Sequence, residues 1–96
     1  MRFSWDSTKD RANFAKHGIR FSEAALIFEG TILSRVDHRE DYGQLREVSI
    51  GTIAGLVVVV VVHTDEDDDT IRIISARRAT QKERKKYYVY CAKNSG

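Results

Sequence analysis

Only one cysteine, Cys91, occurs in the chain, so an internal disulfide and a cysteine-rich zinc site are excluded and a reducing, cytoplasmic setting is expected. The longest apolar run, Leu56 to Val62, spans seven residues, far fewer than the roughly 20 that a membrane helix needs. No charged-then-apolar segment opens the chain, and a soluble protein with no membrane contact is expected. Gly-rich phosphate loops, paired-histidine helix motifs, nucleophile elbows and calcium loops are all missing, and His17, His38 and His63 stand isolated. Nucleotide-dependent and metal-dependent enzymes thereby lose their usual signatures, so neither a cofactor nor a metal is expected. Repeats and low-complexity linkers are absent too. Residues 1–96 are expected to form one small domain, burying only about 60 to 65% of its unfolded surface.

The formal net charge is a modest +2, but the charges are segregated. Asp65 to Asp69 form an acidic block. The stretch from Arg72 to Tyr88 carries seven Lys or Arg residues against one acid, Glu83. A local positive field of this kind attracts polyanions and stabilises charge on phosphate. The acidic block lacks the glycine and distal glutamate of a calcium loop and reads best as a solvated connection.

Arg2 to Trp5 alternates as a short strand. Asp6 or Ser7 then caps a helix to about His17, which Gly18 stops. Ser22 is the expected cap of a second helix, stapled by Phe21 and Leu26 and ended by Gly30. Strands follow at Thr31 to Val36, Arg46 to Ile53, Leu56 to Val62 and Thr70 to Ala76, with a polar loop from Asp37 to Gly43 and a tight turn at Ala54-Gly55. The β-branched run disfavours helix and suits a central strand covered on both faces. Thr80 and Glu83 form a capping box for a last helix reaching about Ala92. Short connections between the strands imply an α+β fold with a small, mainly antiparallel sheet, two N-terminal helices and one C-terminal helix.

Metal-free RNA cleavage needs a base for the 2′-hydroxyl, an acid for the leaving oxygen and cations for the phosphorane. Lys16 and His17 sit at the negative end of the first helix, where a proton carrier is favoured, although His17 also suits a plain C-terminal capping role. Arg77 and Arg78 stand at a strand-to-helix junction where side chains converge on phosphate; alternatively, one pairs with a carboxylate at the core edge while the other is solvated. Strict alternation puts Ser75 on the face of Ile71 and Ile73, either as a small core residue or as part of an RNA contact with Arg72. Among Tyr87, Tyr88 and Tyr90 at least one must face the sheet, and a tyrosine left at the rim can stack on a base or give a proton. Lys82, Lys85 and Lys86 read as a solvated or phosphate-positioning face. Trp5 and Phe21 read as core.

Taken together, Trp5-Asp6, Lys9, Asn13, Lys16-His17-Gly18, Phe21, Ala24, Asp41-Tyr42-Gly43, Arg46, Ile50-Gly51 and Arg72 to Ala79 with Glu83 and Tyr87 resemble the BrnT family of type II toxin–antitoxin toxins over nearly the whole chain. The resemblance implies a RelE-like fold and an endoribonuclease activity that inhibits translation. It also implies a cognate BrnA-like antitoxin with a ribbon-helix-helix region, and operator DNA binding only through the toxin–antitoxin complex. On this reading Lys16, His17, Arg77, Arg78 and Tyr87 are the catalytic candidates, and Arg72, Ser75, Lys82, Lys85 and Lys86 bind RNA. The chain departs from the family pattern at His63, where a tyrosine is common. The competing reading is a non-catalytic basic module that docks an acidic partner or nucleic acid.

Overall fold

The computed structural model describes residues 1–37 and 45–94. The loop expected from Asp37 to Gly43 lies outside them from residue 38 onward. A short strand, β1 (Arg2–Ser4), leads into α1 (Ser7–His17). Asp6 caps α1 by accepting from the Lys9 amide over 3.0 Å, and Gly18 ends it at φ 73°, in the left-handed region that glycine tolerates. The next helix, α2 (Phe21–Ala24), tightens into a 3-10 turn over Ala25–Glu29.

Its start corrects the sequence expectation. Arg20, not Ser22, is the capping residue, with its amide donating to the Glu23 carboxylate over 3.1 Å. Phe21 has to enter the core, where it is fully buried, so it becomes helical instead of preceding the cap. Leu26 stays 42% exposed and does not close the expected staple.

Strands β2 (Leu33–Asp37), β3 (Arg46–Ile53), β4 (Val57–Asp67) and β5 (Thr70–Arg78) follow, and α3 (Gln81–Asn94) completes the order. The sheet runs β1-β5-β4-β3-β2, with the valine strand in the middle. All pairs are antiparallel except β1 with β5, which is parallel. Between β3 and β4 Ile53 pairs with Val57 across a three-residue connection, in which Ala54 and Gly55 both adopt positive φ, 54° and 69°, and the Leu56 amide donates to the Ile53 carbonyl over 3.0 Å.

Alternation divides the valine run between two cores. Val59 and Val61 pack with Phe21, Ala24, Ile27, Ile73 and Ala76 beneath α1 and α2. Val58 and Val60 pack with Val48, Ala79 and Tyr87 beneath α3. Each such side chain contributes roughly 1.5–3 kcal/mol when fully buried, so covering both faces of β4 is the main source of cohesion. Gly51 is small of necessity, because a Cβ there would lie 2.7 Å from the Cβ of Ile27.

Helix α1 is tied to the sheet by polar atoms. Asn13 Nδ2 donates to the Ala76 and Ile19 carbonyls, each over 2.9 Å, and the Ala76 amide donates back over 3.1 Å. The side chain thereby satisfies a stretch of the β5 edge that the three-residue β1 leaves unpaired. Buried Asp10 accepts from the Phe21 amide over 2.8 Å and pairs with Arg20 at 2.9 Å. These donors, the amide first, hold its carboxyl below the usual carboxylate range. Among the described residues no helix is long and apolar enough to cross a membrane.

Candidate functional site

Helix α3 covers only part of its sheet face, and the uncovered part gathers cations through an irregularity in β5. Val62 pairs with Ser75 while the next residue, His63, pairs with Ile73, so Ile74 is a bulge with no partner. Strict alternation would set Arg72 on the opposite side from Ser75 and Arg77. Instead, Arg72 lies opposite Thr64, Ser75 opposite Val62 and Arg77 opposite Val60, all on the α3 side. Ala76, not Ser75, then continues the face of Ile73. The expectation that Ser75 joins Ile71 and Ile73 is therefore corrected, and the cause is the one extra residue.

The strand register extends this face across the sheet. Leu33, Ile50, Val60 and Arg77 form one cross-strand row. Arg35, Val48, Val62 and Ser75 form the adjacent row. With strands about 4.8 Å apart, groups at the two ends of a row stand roughly 14 Å from each other over an apolar middle. The arrangement is a trough with an aliphatic floor and a positive rim.

Arg77 is held in place. Its guanidinium donates two bonds to Glu83, of 2.8 and 2.9 Å, and the Thr80 amide donates to the same carboxylate over 2.8 Å. The Thr80 hydroxyl in turn accepts from the Glu83 amide over 3.2 Å, completing the predicted capping box. Chiefly through the Arg77 guanidinium, the Glu83 carboxyl is pulled down to about 2. It is an anion at any physiological pH and too weak a base to take a proton from a hydroxyl. Arg72 is tethered more loosely, 3.4 Å from Glu66 with both side chains open to solvent.

The other expected site residues fall in different places. Arg78 pairs with Val59 and so leaves β5 on the α1 and α2 side, which separates it from Arg77. One arginine thus meets a carboxylate and its neighbour is exposed, as the plainer of the two sequence readings has it. Lys16 and His17 end α1, which runs along the β5 edge, and their side chains make no hydrogen bond or ion pair with the described residues. Helix α1 covers the face of Val59 and Val61, whereas Arg77 lies on the α3 side of the sheet.

Tyr87 is a core residue. It is 4% exposed and donates its hydroxyl to the Thr31 carbonyl over 2.8 Å. Burial first, and Cys91 second, push its phenol up to about 12, and its buried ring and engaged hydroxyl leave it no open face for a base. Tyr88, half-exposed, points away from the core. Lys82, Lys85 and Lys86 lie on α3, and Lys86 joins Glu83 over the trough.

Sequence reasoning misses two aspects of the site. Arg35 draws no attention by itself, though its period-two spacing from Leu33 marks it as sharing that face. Glu83 reads only as a cap, and nothing local signals its second bond to Arg77.

A family model described as "Ribonuclease toxin, BrnT, of type II toxin-antitoxin system" matches residues 5–83. The chain belongs to the BrnT family. The crystal structure of the Brucella abortus ribonuclease toxin BrnT superposes with a TM-score of 0.64 at 26% identity, covering 84% of this chain and 99% of that one. No curated protein sequence matches. The BrnT family match ends at Glu83, so it takes in the whole of β5, its bulge and the carboxylate that orients Arg77, but not the rest of α3.

Proposed function

We propose that this BrnT-family chain, acting as one cytoplasmic domain, cuts RNA on the sheet face beside α3, blocks translation, and is neutralised by a BrnA-like ribbon-helix-helix antitoxin. The observation that carries the reading is the bulge in β5, which aligns Arg72, Ser75 and Arg77 on one open face of a ribonuclease-toxin fold. Arg77, held in place by its two bonds to Glu83, contributes positive charge beside the scissile phosphate, and Arg72 gives a second. When the 2′-hydroxyl loses its proton to water and its oxygen attacks the adjacent phosphorus, the P–O5′ bond breaks, the 5′-oxygen leaves with a proton from water, and a 2′,3′-cyclic phosphate remains; the negative charge building on the phosphorane is met by these fixed cations. Ser75 donates to a non-bridging oxygen. Lys82, Lys85 and Lys86 position the backbone on either side. Charge stabilisation of this kind requires no metal.

Purified protein should cleave RNA in the presence of a chelator. Arg77→Ala should retain its fold by circular dichroism and lose activity by about 100-fold or more, the usual effect of removing a transition-state donor. Growth arrest on expression should vanish in that variant and should be reversed by the antitoxin. A folded Arg77→Ala protein as active as the wild type would overturn the assignment of this face.

A further inference from the structure

Between β2, β3 and α3 lies a cavity of about 90 Å³ lined by Leu33, Ser34, Arg35, Val48, Ile50, Glu83 and Lys86, and its Glu83 wall connects it to Arg77. A water occupies roughly 10–15 Å³ on this scale, so about six to nine fit, comparable with one heterocyclic ring. From this cavity we infer that the trough has a base-binding subsite, which takes one nucleobase of the RNA whose phosphate sits at Arg77 and prefers guanine or uracil, with a carbonyl at C6 or C4, to adenine or cytosine, with an amino group at the same position. The inference rests on the proposed RNA-cleaving face.

Leu33, Val48 and Ile50 offer a dry floor for the ring face. The rim determines which edge is accepted. Both Glu83 oxygens are engaged by Arg77, and one also by the Thr80 amide, so the carboxylate has little capacity left to accept from an amino group. Arg35 and Lys86 make no ion pair with another described residue and leave their donors facing the opening. Donors at this rim favour the O6 of guanine or the O4 of uracil over the amino groups that adenine and cytosine carry at the same positions. The cross-strand row from Leu33 through Ile50 and Val60 to Arg77 keeps base and phosphate sites on one surface.

The test uses wild-type protein and short 2′-O-methyl oligonucleotides, which cannot be cut, in four homopolymer forms and one abasic form. Methyl resonances of Leu33, Val48 and Ile50 should shift with the guanine and uracil oligomers and stay fixed with the abasic one. The guanine and uracil oligomers should bind about 10-fold tighter than the abasic chain, within the range of one base contact. Filling the cavity with Leu33→Phe or Ile50→Phe should level the five affinities. If base-bearing and abasic oligomers bind alike and move only the Arg72 and Arg77 side-chain resonances, the subsite is wrong and the phosphate face stands. Stronger binding of adenine or cytosine oligomers would overturn the rim argument. If no oligomer binds, both readings fall. Methyl shifts seen with the antitoxin but with no oligomer would give the cavity to the protein partner and end the proposal.

Discussion

At Glu83 one carboxylate closes the α3 cap and fixes the Arg77 guanidinium, so local and tertiary structure meet in a single side chain. With its pKa lowered from 4.5 to about 2, the anion stabilises the fold fully above pH 4.5, and the contribution fades as pH falls from there toward 2. Both partners are partly open, 43% for Arg77 and 26% for Glu83, so solvent screening limits the ionic part to about 1 kcal/mol. Urea unfolding of Glu83→Gln should show that deficit at pH 7, and the gap from wild type should narrow by pH 3. His63 behaves differently. It is 4% exposed between Phe28 and Ser49, with Nε2 2.7 Å from the Ser49 hydroxyl and Nδ1 unpartnered among the described residues. Burial lowers its pKa from 6.5, with Asp65 opposing weakly, while Glu47 faces it across the strand pair. The unfolded chain therefore binds the proton more readily, and stability should drop as pH falls through 6.5. Thermal unfolding at pH 7.5 and 5.5 should show this loss in wild type and a smaller one in His63→Gln, which has no imidazole to titrate.

Among the elements, β5 shows how a single extra residue redirects a surface. Counting by twos along Arg72, Ile73, Ile74 and Ser75 assigns every side chain after Ile74 to the wrong face, because nothing in those residues announces the bulge; it arises where β5 has to match both β4 and the Asn13 side chain. Other elements were legible from local chemistry. Gly18, the Thr80–Glu83 box and the valine run act through backbone freedom, capping and β-branching, which do not depend on distant contacts. The β3–β4 turn was legible in position, yet Ala54 is not the best residue there. At φ 54° its Cβ is strained, and asparagine tolerates this left-handed backbone better. Ala54→Asn is expected to stabilise the protein by about 0.5 to 1 kcal/mol, seen as a higher midpoint in chemical unfolding.

For the whole molecule, the net charge of +2 says little, because the acids gather at the β4–β5 hairpin and the cations on α3. RNA affinity should follow the local field. Replacing Lys82 and Lys85 together by alanine should weaken binding equally for all sequences. It should also reduce the slope of log affinity against log salt by about 1.4, at about 0.7 for each phosphate of a single strand that is no longer neutralised. An unchanged slope would remove these lysines from the RNA path. The linear chain by itself determined the elements, their order, the α+β class and the basic character of the last third, since capping, branching and charge are properties of neighbouring residues. Only folding decided which cations share a face. That depended on an unpaired Ile74, on side-chain rows that cross four strands of the sheet, and on a carboxylate from α3 meeting Arg77, all of them pairings between segments that no local pattern relates.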